Sequence, residues 1–159
     1  MKQLLQKLFE YKDGNLIWKI KPSQKVNIGD IAGCVSDGYI QIQINKKLYK
    51  AHRLIWMFHN GDIETGLDVD HINRIKSDNR IENLRLATVS QNQSNVTKYK
   101  NNTSGYKGVS WDKRRKKWRA QINHNNKKIH IGYFDTPELA HAAYIAAAAK
   151  LQGEFACWE

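Results

Sequence analysis

The stretch Leu67-Asp68-Val69-Asp70-His71 reads as a short strand, and Asn73–Arg80 behind it is polar and loop-like. Asn83-Leu84-Arg85-Leu86-Ala87 reads as a second strand. Thr88-Val89-Ser90-Gln91 then has the Ser/Thr-x-x-Gln pattern of a helix capping box, so a helix is expected through Asn92 and Asn95. The order is strand, loop, strand, helix.

On the N-terminal side the signals are those of a small α+β lead-in. Lys2–Tyr11 places Leu4, Leu5, Leu8 and Phe9 on one helical face, and Asp13-Gly14-Asn15 is a turn signal before a strand over Leu16–Ile20. Asp37-Gly38 separates the Ile28–Val35 region from Tyr39–Ile44, where apolar and polar residues alternate with period two. Asn45-Lys46-Lys47 can turn that strand into Leu48–Ala51. His52–His59 reads as a short helix with Leu54, Ile55 and Phe58 on one side and Gly61 as its stop.

On the C-terminal side, 96–104 is a basic polar linker. Three strands follow, at Tyr106–Trp111, Trp118–Asn123 and Lys128–Phe134, joined by turns at Lys113–Lys117 and His124–Lys127. Thr136-Pro137-Glu138 starts a helix, with an N-cap Thr, Pro at the first helical position and an acid in the first turn. Ala140, Ala143, Tyr144 and Ala147 recur along it at helical spacing up to Gly153. Small residues there let a helix sit close against a sheet. Trp118, Ala120 and Ile122, with Ile129 and Ile131, should face that helix. Arg119, Gln121, Asn123, Lys128 and His130 should face outward.

The chain has 159 residues and a net charge of +11, with 41% hydrophobic residues, enough to form a core. The longest apolar run, Ala142–Ala149, is too short to span a membrane, and no secretory signal is visible at the start. Cys34 and Cys157 supply neither a disulfide framework nor metal-ligand spacing. The excess charge is local. Residues 96–134 hold 11 basic side chains and one acidic, interleaved with Tyr99, Tyr106, Trp111, Trp118 and Tyr133. Basic and aromatic side chains along strands suggest a nucleic-acid surface, against the plainer alternative of a solvated face.

Asp70-His71, Asn83 and Asn92, within "AHRLIW" and "DHINRIKSDNRIENLRLATVSQNQSN", resemble the HNH endonucleases, in the branch common among phage and intron-encoded homing enzymes. The variant here is H-N-N. The resemblance implies a ββα-metal module in which His71 is the general base for phosphodiester hydrolysis, and imidazole titrates near neutral pH. It implies Asp70 and Asn92 as the protein ligands of one Mg²⁺ or Mn²⁺, both offering hard oxygens. Asn83 would brace the intervening loop and so position His71. The implied products are a 5′-phosphate and a 3′-hydroxyl. Arg85 is a phosphate contact or a solvated surface Arg. His52, beside Arg53 at a helix start, is given a structural or substrate-positioning role and stays outside the catalytic set. No Cys pairs flank the motif, so no structural zinc is expected.

"SGYKGVSWDKRRKKWRAQI" and "IHIGYFDTPELAHAAYIAAAAKLQGEFA" resemble the APETALA-type, or ethylene-response-factor, DNA-binding domain. That fold is a three-stranded antiparallel sheet on one helix, with the opposite sheet face in the major groove. By position in the motif, Lys107, Ser110, Arg119, Gln121, Lys128 and His130 would face DNA. Lys113, Arg114, Arg115, Lys116 and Lys117 at the hairpin tip would meet phosphates. Trp111 and Trp118 are stacking platforms or, for Trp118 above all, core.

The expectation is therefore an α+β chain. It has a lead-in over 1–60, a nuclease core over 61–95, a linker over 96–104 and a DNA-binding domain over 105–159. Its function would be metal-dependent nicking of duplex DNA, with no membrane partner and no small-molecule substrate. A monomer is expected, with a dimer as the alternative, in the cytoplasm of a bacterial host and encoded by a phage or mobile element. The competing readings are a DNA-binding regulator that does not cleave, and an RNA-binding protein.

Overall fold

The computed structural model describes residues 1–98 and 102–158; Tyr99 and the middle of the 96–104 linker lie outside them. The chain divides into two compact units, Met1–Thr88 and Val89–Glu159.

The first unit opens with α1 (Lys2–Leu8), which is shorter than its apolar pattern predicts. Phe9 leaves the helix in an extended conformation (φ −131°, ψ 156°) and begins β1 (Phe9–Lys12). β1 pairs antiparallel with β2 (Asn15–Trp18) across the Asp13-Gly14 turn. Leu5 and Phe9 are buried, but Leu4 is exposed. β3 (Cys34–Ser36), β4 (Tyr39–Ile44) and β5 (Lys47–Lys50) form an antiparallel sheet in that order. α2 (Ala51–Asn60) follows at once and stops at Gly61, whose φ of +93° suits glycine.

β6 (Leu67–His71) and β7 (Leu84–Thr88) pair antiparallel, with Asp70 opposite Arg85 and His71 opposite Leu84. A short 3₁₀ turn, Ile81–Asn83, precedes β7, so Asn83 sits in that turn and not in the strand expected for it. One core joins these elements apart from β3. Leu5, Phe9, Leu16, Ile42, Leu54 and Ile55 are buried together with Val69 and Leu84 of the β6–β7 hairpin. The 1–60 segment thus shares its core with the hairpin. Arg53 of α2 ion-pairs with Asp68 of β6, and Ile81 N–H donates to Tyr11 Oη at 3.0 Å.

The second unit starts with α3 (Val89–Ser94), which carries Asn92 but ends before Asn95. Its contacts are with β9 (Lys117–His124) and the 3₁₀ turn Gly153–Phe155, and Asn125 N–H donates to Ser90 Oγ at 3.0 Å. β8 (Val109–Asp112), β9 and β10 (Lys127–Phe134) form an antiparallel sheet with β9 central. Against the sheet lies α4 (Pro137–Gln152), capped by Thr136 Oγ1, which accepts from Leu139 N–H at 3.3 Å.

The helix face is centred on Ala140, Tyr144 and Ala148, all buried against Val109, Ala120 and Ile122, with Ala143 and Ala147 at its margins. Gly108 permits this close approach. Its φ is +73°, and a Cβ there would lie 2.2 Å from the Tyr144 ring and 2.7 Å from the Gln121 carbonyl oxygen. One expected core residue is not core. Ile129 pairs with Ile122 yet is exposed, for it lies near the open end of the sheet before a register shift between His130 and Gly132. Ile131 packs on the helix.

Candidate nuclease site and nucleic-acid interface

Asp70 and His71 end β6 and are both buried, with 6% of each exposed. Direct cross-strand register brings Arg85 to Asp70, and Arg85 Nε donates to Asp70 Oδ2 at 3.0 Å. Only 12% of the Arg85 side chain is exposed, so it is no solvated surface residue. Opposite charges directly across a ladder attract, and here the pair fixes the carboxylate's orientation.

His71 Nε2 lies 2.9 Å from Asn79 Oδ1 in the interior. The Asn79 amide thereby fixes the orientation of the ring. Asn79 is 2% exposed and was not legible as a site residue. Its only signal was its place in a polar loop between two strands.

That loop, 72–83, is tied down by side-chain amides. Asn83 Nδ2 donates to Asn73 Oδ1 at 3.0 Å and to the Asp78 carbonyl oxygen at 2.7 Å, and Asn83 Oδ1 accepts from Asn73 N–H at 3.0 Å. Asn73 Nδ2 donates to Asp78 Oδ2 at 2.6 Å. Arg80 donates twice to Asp78, both at 2.8 Å. The Arg80 hydrogen bonds, above all, hold the Asp78 carboxyl well below the usual carboxylate range.

His52 packs edge-to-face on His71, with ring centroids 4.8 Å apart, and Tyr39 lies 5.4 Å from His52 and 6.2 Å from His71. His52 is 5% exposed and its Nδ1 has no hydrogen-bond partner among the described residues. Burial, followed by the nearby His71, Lys50 and Arg53, pushes its pKa down to about 3. His52 therefore stays neutral across the physiological range, beside the histidine singled out by the motif. The signal for it was a His three residues before Ile55, on the buried face of α2.

Asn92 lies half-buried on α3 in the second unit. Among the described residues no group of three or more His, Cys, Asp or Glu could hold a metal ion. Asp70 and Asn92, one carboxylate and one amide, are a set of another kind.

In the second unit, cross-strand register puts Ser110 opposite Arg119, Gln121 opposite His130 and Asn123 opposite Lys128. These residues alternate with Ala120 and Ile122 and so share the sheet face away from α4. Arg119 Nη2 lies 3.4 Å from Ser110 Oγ. Lys113, Arg114, Arg115 and Lys116 are exposed at the β8–β9 turn. Arg115 lies over the Tyr133 ring at 4.5 Å and 3.7 Å from Asp112. Lys117 is in β9 and not at the tip, with its ammonium 2.8 Å from Asp135. Lys107 donates to the carbonyl oxygens of Ser94 and Val96. A cavity of about 640 Å³, lined in part by Ser94, Lys98, Lys107, Gln121 and Lys128, lies beside that segment. Trp111 is 45% exposed and packs edge-to-face on Trp118 at 5.1 Å.

Among the described residues no helix is long and apolar enough to cross a membrane. A paired strand hairpin ending in buried Asp-His, followed in sequence by a helix, then a three-stranded basic sheet on one helix, defines an HNH nuclease fold joined to a DNA-binding domain. Residues 49–94 match the HNH endonuclease family and residues 104–154 match the AP2 domain. The chain belongs to the HNH endonuclease family and carries an AP2 DNA-binding domain. It is 36% identical over 114 residues to Protein 3.8 of Escherichia phage T7, covering 70% of this chain and 93% of that protein. It is 31% identical over 139 residues to an uncharacterized HNH endonuclease of Acanthamoeba polyphaga mimivirus, covering 87% of this chain and 68% of that one. No solved structure matches it significantly.

Proposed function

We propose that this protein is a metal-dependent endonuclease that nicks duplex DNA and leaves 5′-phosphate and 3′-hydroxyl ends. The observation that carries this reading is the buried Asp70-His71 pair, with His71 Nε2 set against Asn79 Oδ1 at 2.9 Å. A histidine held in one orientation by a buried partner is suited to take a proton from an attacking water. Asn83 ties the loop that carries Asn79, so it acts on His71 at one remove.

Asp70 and Asn92 would hold the divalent cation. Their hard oxygens fit Mg²⁺ or Mn²⁺, and two protein ligands leave positions for water and phosphate. When bound, the ion neutralises charge at the phosphorus and the leaving oxygen. Arg85 keeps the Asp70 carboxylate from rotating. The AP2 sheet holds the duplex through Ser110, Arg119, Gln121, Lys128 and His130 on its outer face, while Lys113, Arg114, Arg115 and Lys116 meet phosphates. Lys107 and Lys117 are committed to partners within the chain and would have to exchange them for phosphate. One hydrolytic centre addresses one strand at a time, so a monomer nicks. The viral relatives support a virus-borne setting.

The test is relaxation of supercoiled DNA in Mg²⁺ or Mn²⁺, followed by end-labelling of the nick. Wild type should nick and His71→Ala should lose at least a hundredfold in rate. Equal nicking by His71→Ala removes the base assignment. A gel shift with no cleavage in any divalent metal leaves only a DNA-binding protein.

A further inference from the structure

The nuclease reading leaves unexplained a pair of lysines gathered beside His71. Lys50 Nζ lies 4.3 Å from the centroid of the Tyr39 ring, and Lys76 Nζ lies 4.6 Å from the same centroid. Tyr39 opens β4, Lys50 ends β5 and Lys76 belongs to the amide-tied loop, so three separate segments converge on one ring. The ring in turn is 6.2 Å from His71. Neither ammonium has a carboxylate partner among the described residues, and both side chains are exposed.

Each lysine is held there only by a weak, exposed cation–π contact and keeps its charge open to a further partner. An anion brought to Tyr39 would give both cations a charged partner. Lysine binds phosphate as a flexible point charge. The ring gives both ammoniums a fixed resting place one aromatic ring away from the histidine.

We infer that Lys50 and Lys76, gathered over Tyr39, bind a backbone phosphate of the substrate strand next to the phosphate that is cleaved. The neighbouring phosphate is the anion that a strand threaded past His71 brings to Tyr39. The clamp would set the register of the strand on His71. The location of this phosphate rests on the proposed nuclease reading; the contact itself does not.

The experiment uses the full chain and a short duplex in EDTA, so that binding is read without cleavage. The dissociation constant is measured against salt concentration for wild type, Lys50→Ala, Lys76→Ala, the double Ala variant and the double Arg variant. Each phosphate contact contributes about 0.9 to the log–log slope. With one phosphate held by both lysines, the double Ala variant should lose about 0.9 from that slope, and the double Arg variant should keep it. An unchanged slope in a double Ala variant with a wild-type circular dichroism melt overturns the clamp.

A second arm places one methylphosphonate, which is uncharged, next to the mapped nick. It should weaken wild-type binding about tenfold and leave the double Ala variant nearly unaffected. Equal weakening of both overturns the placement. If wild type nicks nothing in any metal while the slope still falls, the nuclease reading fails and the phosphate contact stands.

Discussion

Asn79 and His52 decide the state of His71 from two sides. Asn79 faces Nε2 and orients the ring, while His52 closes the ring's flank without competing for protons, since it is held neutral. Replacing Asn79 by Ala should slow nicking ten- to hundredfold and, because it leaves a buried His71 nitrogen unpaired, cost about 1–3 kcal/mol of stability. Asn79→Asp, which keeps an oxygen facing Nε2, should recover part of that rate. Nicking rates at saturating DNA check both. His52 also makes a pH prediction. Its folded pKa is about 3 against an ordinary 6.5, so its contribution to stability is full above about 6.5 and is lost as pH falls toward 3. The unfolded chain takes up the proton first. Denaturation midpoints between pH 7 and 4 should therefore fall more steeply for wild type than for His52→Phe.

Elements here are held by side-chain amides as much as by backbone. The loop between β6 and β7 has no ladder of its own, and Asn73, Asp78 and Asn83 add side-chain hydrogen bonds to its few backbone turns. Asn83→Ala removes both donor bonds and the acceptor at a 7% exposed site, and should cost about 2 kcal/mol. Hydrogen exchange should quicken across 72–83. In the second unit the counterpart is Gly108. Gly108→Ala combines an unfavourable positive φ with a Cβ 2.2 Å from the Tyr144 ring, so β8 must pull away from α4. The expected loss is at least about 2 kcal/mol, read by denaturant unfolding with circular dichroism. Element existence was largely legible from pattern and caps. Boundaries were less so, as at Phe9 and Asn83, because tertiary packing rather than propensity ends α1 and places Asn83 in a 3₁₀ turn before β7.

At the scale of the molecule, charge is divided by task. Residues 96–134 hold 11 of the 26 basic side chains and only one acid, and four of them stand exposed at one hairpin tip. If about six phosphates are contacted, the log–log salt slope of duplex binding should be roughly −5. Replacing Lys113, Arg114, Arg115 and Lys116 by Ser should reduce its magnitude by about three, with binding weakened alike on all sequences. Competition gel shifts at two salt concentrations check this, and a sequence-selective loss would show that the tip reads bases.

The spacing of the candidate catalytic letters, the Thr136 cap and the alternation of the basic sheet were legible in sequence alone, because spacing, periodicity and residue type are local properties of a chain. The partners of those letters were decided only by the tertiary structure. That Arg85, a candidate phosphate contact, also partners Asp70 is set by a strand register. Asn79 and His52 came to His71 through a loop closure and a helix packing. Such meetings depend on how segments far apart in sequence are stacked around one core, and no window of residues carries that information.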